Sequence, residues 1–137
     1  MERSAALSAF NWEKLEPRRI LPGFEGRFIH SATMTFALWN IAAGARLPEH
    51  RHIHEQVVHQ LEGEFELTVE GRVVHLRPGM VTAILPNARH SGRALTDCRI
   101  LDVFCPLRED YKFDGASTVL SSALNAEAER GVPKDGE

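Results

Sequence analysis

Only two of the 137 residues are cysteine, Cys98 and Cys105, and no stretch of the chain stays apolar for long. One pair of thiols cannot knit a disulfide-rich scaffold; in a reducing compartment both are expected to be free and to act as small buried hydrophobes. The opening residues, Met1 to Arg19, mix acidic, basic and polar side chains, so neither a signal peptide nor a membrane anchor is expected, and the cytoplasm is the expected location. Charge of one sign is lacking too. A formal net charge of -3 and a pI near 6.2 give no electrostatic reason to expect nucleic acid as a partner. Internal repeats and low-complexity runs are also missing, which excludes solenoid and propeller arrays.

What is present is one domain's worth of core. At this length, with 43% hydrophobic residues, the chain can build a single compact interior and not two ordinary domains. From Gly26 to Cys105 it reads as short runs rich in Val, Ile, Phe and Thr, broken by Gly and Pro, an all-β rhythm. Strands are expected at Arg27–Ser31, Thr33–Ile41, Gln56–Leu61, Glu64–Val69, Arg72–Leu76, Val81–Leu85 and Arg99–Phe104, with a hairpin turn at Glu70–Gly71. In Glu64–Val69 the strict alternation of Glu64, Phe65, Glu66, Leu67, Thr68 and Val69 sends one face to a core and the other to solvent. The expected organisation is an N-terminal arm (1–25), a β-barrel (26–112), and a C-terminal segment (113–137) with one short helix within Ser117–Arg130 and a disordered end from Gly131.

Chemistry concentrates in the histidines. Four of the seven, His50, His52, His54 and His59, fall within ten residues. On a strand, residues two apart point the same way about 6.6 Å apart, so His50 and His52 can direct ring nitrogens at one metal ion. A straight run to Gln56 would span roughly 20 Å, too far for one ion. A turn around Ile53–Glu55 would bring the Gln56 carbonyl back toward the two histidines, and His90, after the turn-rich Pro86 and Asn87, is the best fourth ligand. His30 and His75 are read as hydrogen-bonded core or surface residues, and His59 should face the opposite side of its strand from Gln56. His54 is open between ligand and supporting residue.

These residues resemble the cupin superfamily. Its first motif reads here as Gly44-ARLPE-His50-Arg-His52-IHE-Gln56-VVHQLE-Gly63, and its second spans Gly79 to His90, with Leu85 and Asn87 at its Pro and Gly positions and Pro86 one place late. The resemblance implies an all-β jelly-roll barrel. It also implies one divalent transition metal (Zn, Ni, Fe, Mn or Co) on His50, His52, Gln56 and His90. Most cupins carry glutamate where Gln56 stands; the neutral amide leaves the ion more electropositive. The strings HIHEQVVHQLEGEFEL, GMVTAILPNARH and LDVFCPLRED narrow the resemblance to the KdgF-type cupins of pectin and alginate breakdown, which convert 4,5-unsaturated uronates to linear 5-keto-4-deoxyuronate.

That resemblance places Asp102, Phe104 and Arg108 in a substrate pocket, and the residues themselves agree. Asp102 and Phe104 share a strand face. A carboxyl within an apolar strand needs a purpose or a partner, which suits a general acid/base; Phe104 would form an apolar wall. Arg108 supplies a planar two-pronged donor for a small carboxylate substrate, unless it pairs with Glu109, Asp110 or Asp102 to fasten the C-terminal segment. Alternative readings are an iron- or nickel-dependent dioxygenase and a non-catalytic module binding a small acidic ligand. A homodimer is expected by sheet extension from strand edges near Arg27–Ile41.

Overall fold

A computed structural model describes residues 8–113 and 119–120 of the chain. The alternating runs become ten strands: β1 (Arg18–Leu21), β2 (Phe24–His30), β3 (Thr35–Ile41), β4 (Arg46–His50), β5 (Glu55–Glu62), β6 (Phe65–Val69), β7 (Arg72–Leu76), β8 (Val81–Ile84), β9 (His90–Ala94) and β10 (Cys98–Cys105). They form a six-stranded sheet ordered β1-β2-β3-β10-β5-β8 and a four-stranded sheet ordered β4-β9-β6-β7, with antiparallel pairing throughout both. Period-two patterning decides which side chains meet between the sheets. Ile100, Asp102 and Phe104 of β10 point inward with Gln56, Val58 and Gln60 of β5, and join Phe24, Phe28 and Trp39 of the same sheet and Phe65, Leu67 and Leu76 of the other.

Turn chemistry follows the sequence where it carries a φ requirement. Glu70 and Gly71 both take positive φ (47° and 80°), as a two-residue hairpin between β6 and β7 demands. Before β9, Asn87 takes φ 66° at the place where the cupin motif has glycine; asparagine tolerates this left-handed conformation better than other residues with a side chain.

Several expectations are corrected. The N-terminal arm is partly sheet: β1 and the start of β2 lie before residue 26, and the Arg27 Nε–H donates to the Leu15 carbonyl at 3.1 Å, tying the preceding segment down. The expected strand at His50 is β4, which ends at His50 rather than running through His52; β9 is an addition, its strand signature broken by Gly92, and β4 accommodates Pro48 as an edge strand. Strands β2 and β3 are interior, so the edges are β1, β8, β4 and β7 rather than the region of Arg27–Ile41. Cys98 is buried, but Cys105, at the outward-facing end of β10, is exposed; both thiols are free. The expected C-terminal helix lies outside the described residues except for Val119 and Leu120. There Val119 forms a parallel bridge with His30, and the helical turn nearest the C-terminus among the described residues is the single 3-10 turn Glu109–Tyr111. No described helix is long and apolar enough to cross a membrane.

Two glycines make the backbone argument testable. Gly63 and Gly71 share φ 80°, but a Cβ on Gly63 would overlap the Asp97 carbonyl, whereas one on Gly71 meets nothing within 4 Å. Gly71→Ala should therefore show the left-handed strain alone, about 1–2 kcal/mol, and Gly63→Ala about 1–3 kcal/mol more, read from urea-denaturation midpoints of the two variants.

Candidate metal centre and pocket

The pairing of β4 with β9 sets His50 directly opposite His90, with ring centroids 4.2 Å apart. His52 lies just beyond β4, in the link to β5, not on the strand as its spacing from His50 had led one to expect. Its ring is 5.5 Å from that of His50 and 5.0 Å from that of His90. The chain then turns at Ile53 and His54, and Gln56, second residue of β5, points inward between Ile84 and Phe104. The loop carrying Asn87 is docked on this link, since the Asn87 N–H donates to the His52 carbonyl at 2.8 Å. Thus the segments bearing the four residues brace one another.

Backbone carbonyls orient all three rings. Nδ1 of His50 lies 2.9 Å from the Pro48 carbonyl, Nδ1 of His52 3.1 Å from that of His54, and Nδ1 of His90 2.9 Å from that of Ala88. A carbonyl only accepts, so Nδ1 is the donor in His50 and His90, which leaves Nε2 of each as the ligand nitrogen. His52 has a carbonyl oxygen 3.1 Å from each of its ring nitrogens, the backbone one of His54 and the side-chain one of Gln56. One ligand atom from each histidine lies within 4.8 Å of the others. Among the described residues His90 Nε2 is buried without a hydrogen-bond partner, and His52 Nε2 lies 3.1 Å from the Gln56 carbonyl oxygen. Three ring nitrogens and an amide oxygen gathered this closely suit a cation held between them. Burial, followed by the positive Arg108, drives His52 down to about 4; burial also lowers His90. Both rings are therefore neutral near pH 7, as ligation requires. His54 stands beside His52 (5.4 Å) and Phe104 (6.4 Å) but does not join the converging set.

Asp102, Phe104 and Arg108 border the same space. Trp39 Nε1–H donates to Asp102 Oδ2 at 3.0 Å, while Oδ1 makes no hydrogen bond of good geometry among the described residues. Burial pushes this carboxyl up to about 7, against the opposing pull of Gln56, Trp39 and Arg108. Phe104 is buried, its ring 5.7 Å from that of His52. The Arg108 guanidinium lies 4.8 Å from the Phe104 ring and 4.1 Å from that of Tyr111, and Asp110 grips its Nε and Nη2 at 3.0 and 2.7 Å. The fastening pair expected as an alternative thus exists, yet the Arg108 side chain is only 13% exposed and still borders the cavity. Tyr111 was missed in the sequence. It lines the cavity too, packed on Phe28 at 4.5 Å, and burial pushes its hydroxyl up to about 12. Its signal was modest: the chain's single tyrosine, one turn past Arg108. His50, Gln56, His90, Asp102, Phe104, Arg108 and Tyr111 line a cavity of about 70 Å³ together with Trp39, Phe65 and other core residues.

Comparison with known proteins settles the lineage. The model of the family described as "Cupin domain" matches residues 37–104. The chain is 32% identical over 74 residues to the pectin degradation protein KdgF of Dickeya dadantii, a match spanning 53% of this chain and 67% of that protein. The chain belongs to the cupin family. Among solved structures this cupin resembles KdgF from a Halomonas species (TM-score 0.71, 26% identity, 75% of this chain and 96% of that one). It also resembles an RmlC-like cupin from Shewanella frigidimarina (TM-score 0.72, 27% identity, 77% and 98%). Two other curated relatives are matched over only 23% and 48% of their own length.

The raised carboxyl gives a pH signature. Asp102 titrates near 7 in the folded state and near 3.8 as its ordinary value, so between these the folded state holds the extra proton and this group's contribution to stability falls as pH rises. His52, lowered by burial, works oppositely: below 6.5 the unfolded chain binds the extra proton. In chelator-treated cupin, Asp102→Asn should therefore gain on the wild type as pH climbs from 4 to 7, by up to a few kcal/mol. Denaturation midpoints that differ by a constant across that range would contradict it.

Proposed function

We propose that this cupin binds one divalent transition metal through His50, His52, Gln56 and His90 and acts on a small carboxylate-bearing substrate. Our specific reading is conversion of a 4,5-unsaturated uronate to linear 5-keto-4-deoxyuronate. The observation that carries it is the convergence of one ring nitrogen from each of three histidines, with the Gln56 oxygen 3.1 Å from His52, beside a largely buried arginine. The likeness to the two KdgF proteins supports the choice of substrate.

When bound, the metal supplies a Lewis acid that polarises a substrate oxygen, the more strongly because Gln56 contributes no negative charge. The protein's own groups do the rest. The far edge of Arg108, left open by Asp110, holds the carboxylate, and the rings of Phe104 and Tyr111 fix the guanidinium plane and exclude water. Asp102, poised near neutral pH, moves a proton: one leaves the anomeric hydroxyl as the ring C–O bond breaks, and one reaches C4 as the enol becomes the ketone. The net change is an isomerisation that needs no oxidant or reductant. A dioxygenase would instead consume oxygen when loaded with ferrous iron, and a binding module would hold the uronate without converting it. Cytoplasmic location and a homodimer belong to the same proposal.

Two measurements follow. Elemental analysis of the purified protein should find about one metal per chain, lost in the His50→Ala, His52→Ala double variant and kept in His75→Ala, whose ring pairs with Glu64 on the surface at 2.8 Å. Metal retained by the double variant would sink the assignment. Arg108→Ala should keep the metal but raise KM for the unsaturated uronate roughly 10–100-fold, the worth of a charge-assisted bidentate contact. An unchanged KM would remove Arg108 from substrate binding.

A further inference from the structure

We propose that the buried pair His30 and Thr35 is a positioning device that holds the 108–111 turn, and with it Arg108 and Tyr111, against the cavity. The proposal rests on Arg108 being the carboxylate-binding residue, as read above. His30 and Thr35 sit directly opposite each other on β2 and β3, on the core face, and both are 0% exposed. Neither lines the cavity nor joins the converging histidines. Their polar atoms instead reach both ends of one turn. The Arg108 backbone N–H donates to Thr35 Oγ1 at 2.8 Å; Thr35 Oγ1 lies 2.8 Å from His30 Nδ1; His30 Nε2 lies 3.2 Å from the Tyr111 carbonyl.

Donor and acceptor logic fixes the direction of this chain. The Tyr111 carbonyl only accepts, so Nε2 carries the proton. The ring is neutral, because burial lowers its basicity, and Nδ1 is therefore an acceptor. The Thr35 hydroxyl must donate to it, which leaves the hydroxyl's lone pairs to receive the Arg108 N–H. The sequence Arg108 N–H, Thr35 O–H, His30 Nε2–H, Tyr111 C=O is thus satisfied at every step and closes on the same turn it left. Inside the turn, the Tyr111 N–H donates to the Arg108 carbonyl at 3.1 Å. The Tyr111 ring packs on Phe28, Trp39 and Phe104, which holds the side chain but not the backbone of the turn; hydrogen bonds from a fully buried pair give that backbone a fixed reference in the sheet. The Tyr111 ring then covers one face of the Arg108 guanidinium while Asp110 takes one edge. A histidine that merely filled core volume would not need this partner set.

Three variants test the idea. Thr35→Val keeps shape and removes both hydrogen bonds of the hydroxyl. It should fold cooperatively, keep its metal, exchange the Arg108 backbone amide at least tenfold faster by NMR, and raise KM for the unsaturated uronate about tenfold while kcat changes less than twofold. Thr35→Ser should restore both the amide protection and KM. His30→Asn retains an acceptor for the Thr35 hydroxyl and withdraws the donor from Tyr111. It should leave the Arg108 amide protected and still raise KM, which keeps the question open to test if Thr35→Val fails to fold. A folded Thr35→Val with wild-type amide exchange and KM, or His30→Asn with wild-type KM, would overturn the proposal. Arg108→Ala, run alongside, separates the two readings. If it leaves KM unchanged, the carboxylate assignment fails, and the amide exchange of Thr35→Val alone then decides whether the tether exists.

Discussion

Three backbone carbonyls decide what this barrel can do. Lying 2.9 to 3.1 Å from Nδ1 of His50, His52 and His90, the carbonyls of Pro48, His54 and Ala88 orient three rings whose ligand nitrogens gather within 4.8 Å of one another. Each is two residues from the histidine it orients, so the ring direction is set by local chain path and then locked by the β4–β9 pairing that faces His50 with His90. Such orientation costs free energy by itself, because among the described residues it leaves His90 Nε2 buried without a hydrogen-bond partner. The fold tolerates that cost because the barrel core on either side is closely packed.

The charge environment is arranged around the same point. Arg108 is the nearby cation, and its field helps to keep His52 neutral, while the buried Asp102 stays close to half-protonated near neutral pH. Gln56 connects these features. Its oxygen faces the histidines, and its amide acts on Asp102 to favour the charged form. A glutamate there would add a negative charge next to a carboxyl that burial already disfavours, raising it further. The neutral amide thus suits both neighbours.

The cluster of four histidines, the turn before Gln56 and the Glu70–Gly71 hairpin were legible because each is a local signal of spacing or φ preference. So was the inward parity of Asp102 and Phe104 on β10. The extent of the strand that carries His50 and the strand that begins at His90 were not, since Pro48 and Gly92 remove the usual strand signature where the sheet edge and the close approach of Phe65 require them. His30 was legible as a hydrogen-bonded residue, but its partners, and the roles of Tyr111 and Trp39, were not, for another reason. Their roles come from contacts between segments 63 to 81 residues apart, and no periodicity along the chain encodes those.

The ring nitrogens of the three histidines test the central claim most directly. Long-range proton–nitrogen NMR of imidazole-labelled, chelator-treated protein near pH 7 should show Nδ1 protonated in His50 and His90, and stoichiometric Zn²⁺ should shift a ring nitrogen of His52 together with Nε2 of these two rings. An Nε2–H tautomer in His50 or His90, or zinc-induced shifts confined to other histidines, would contradict the account.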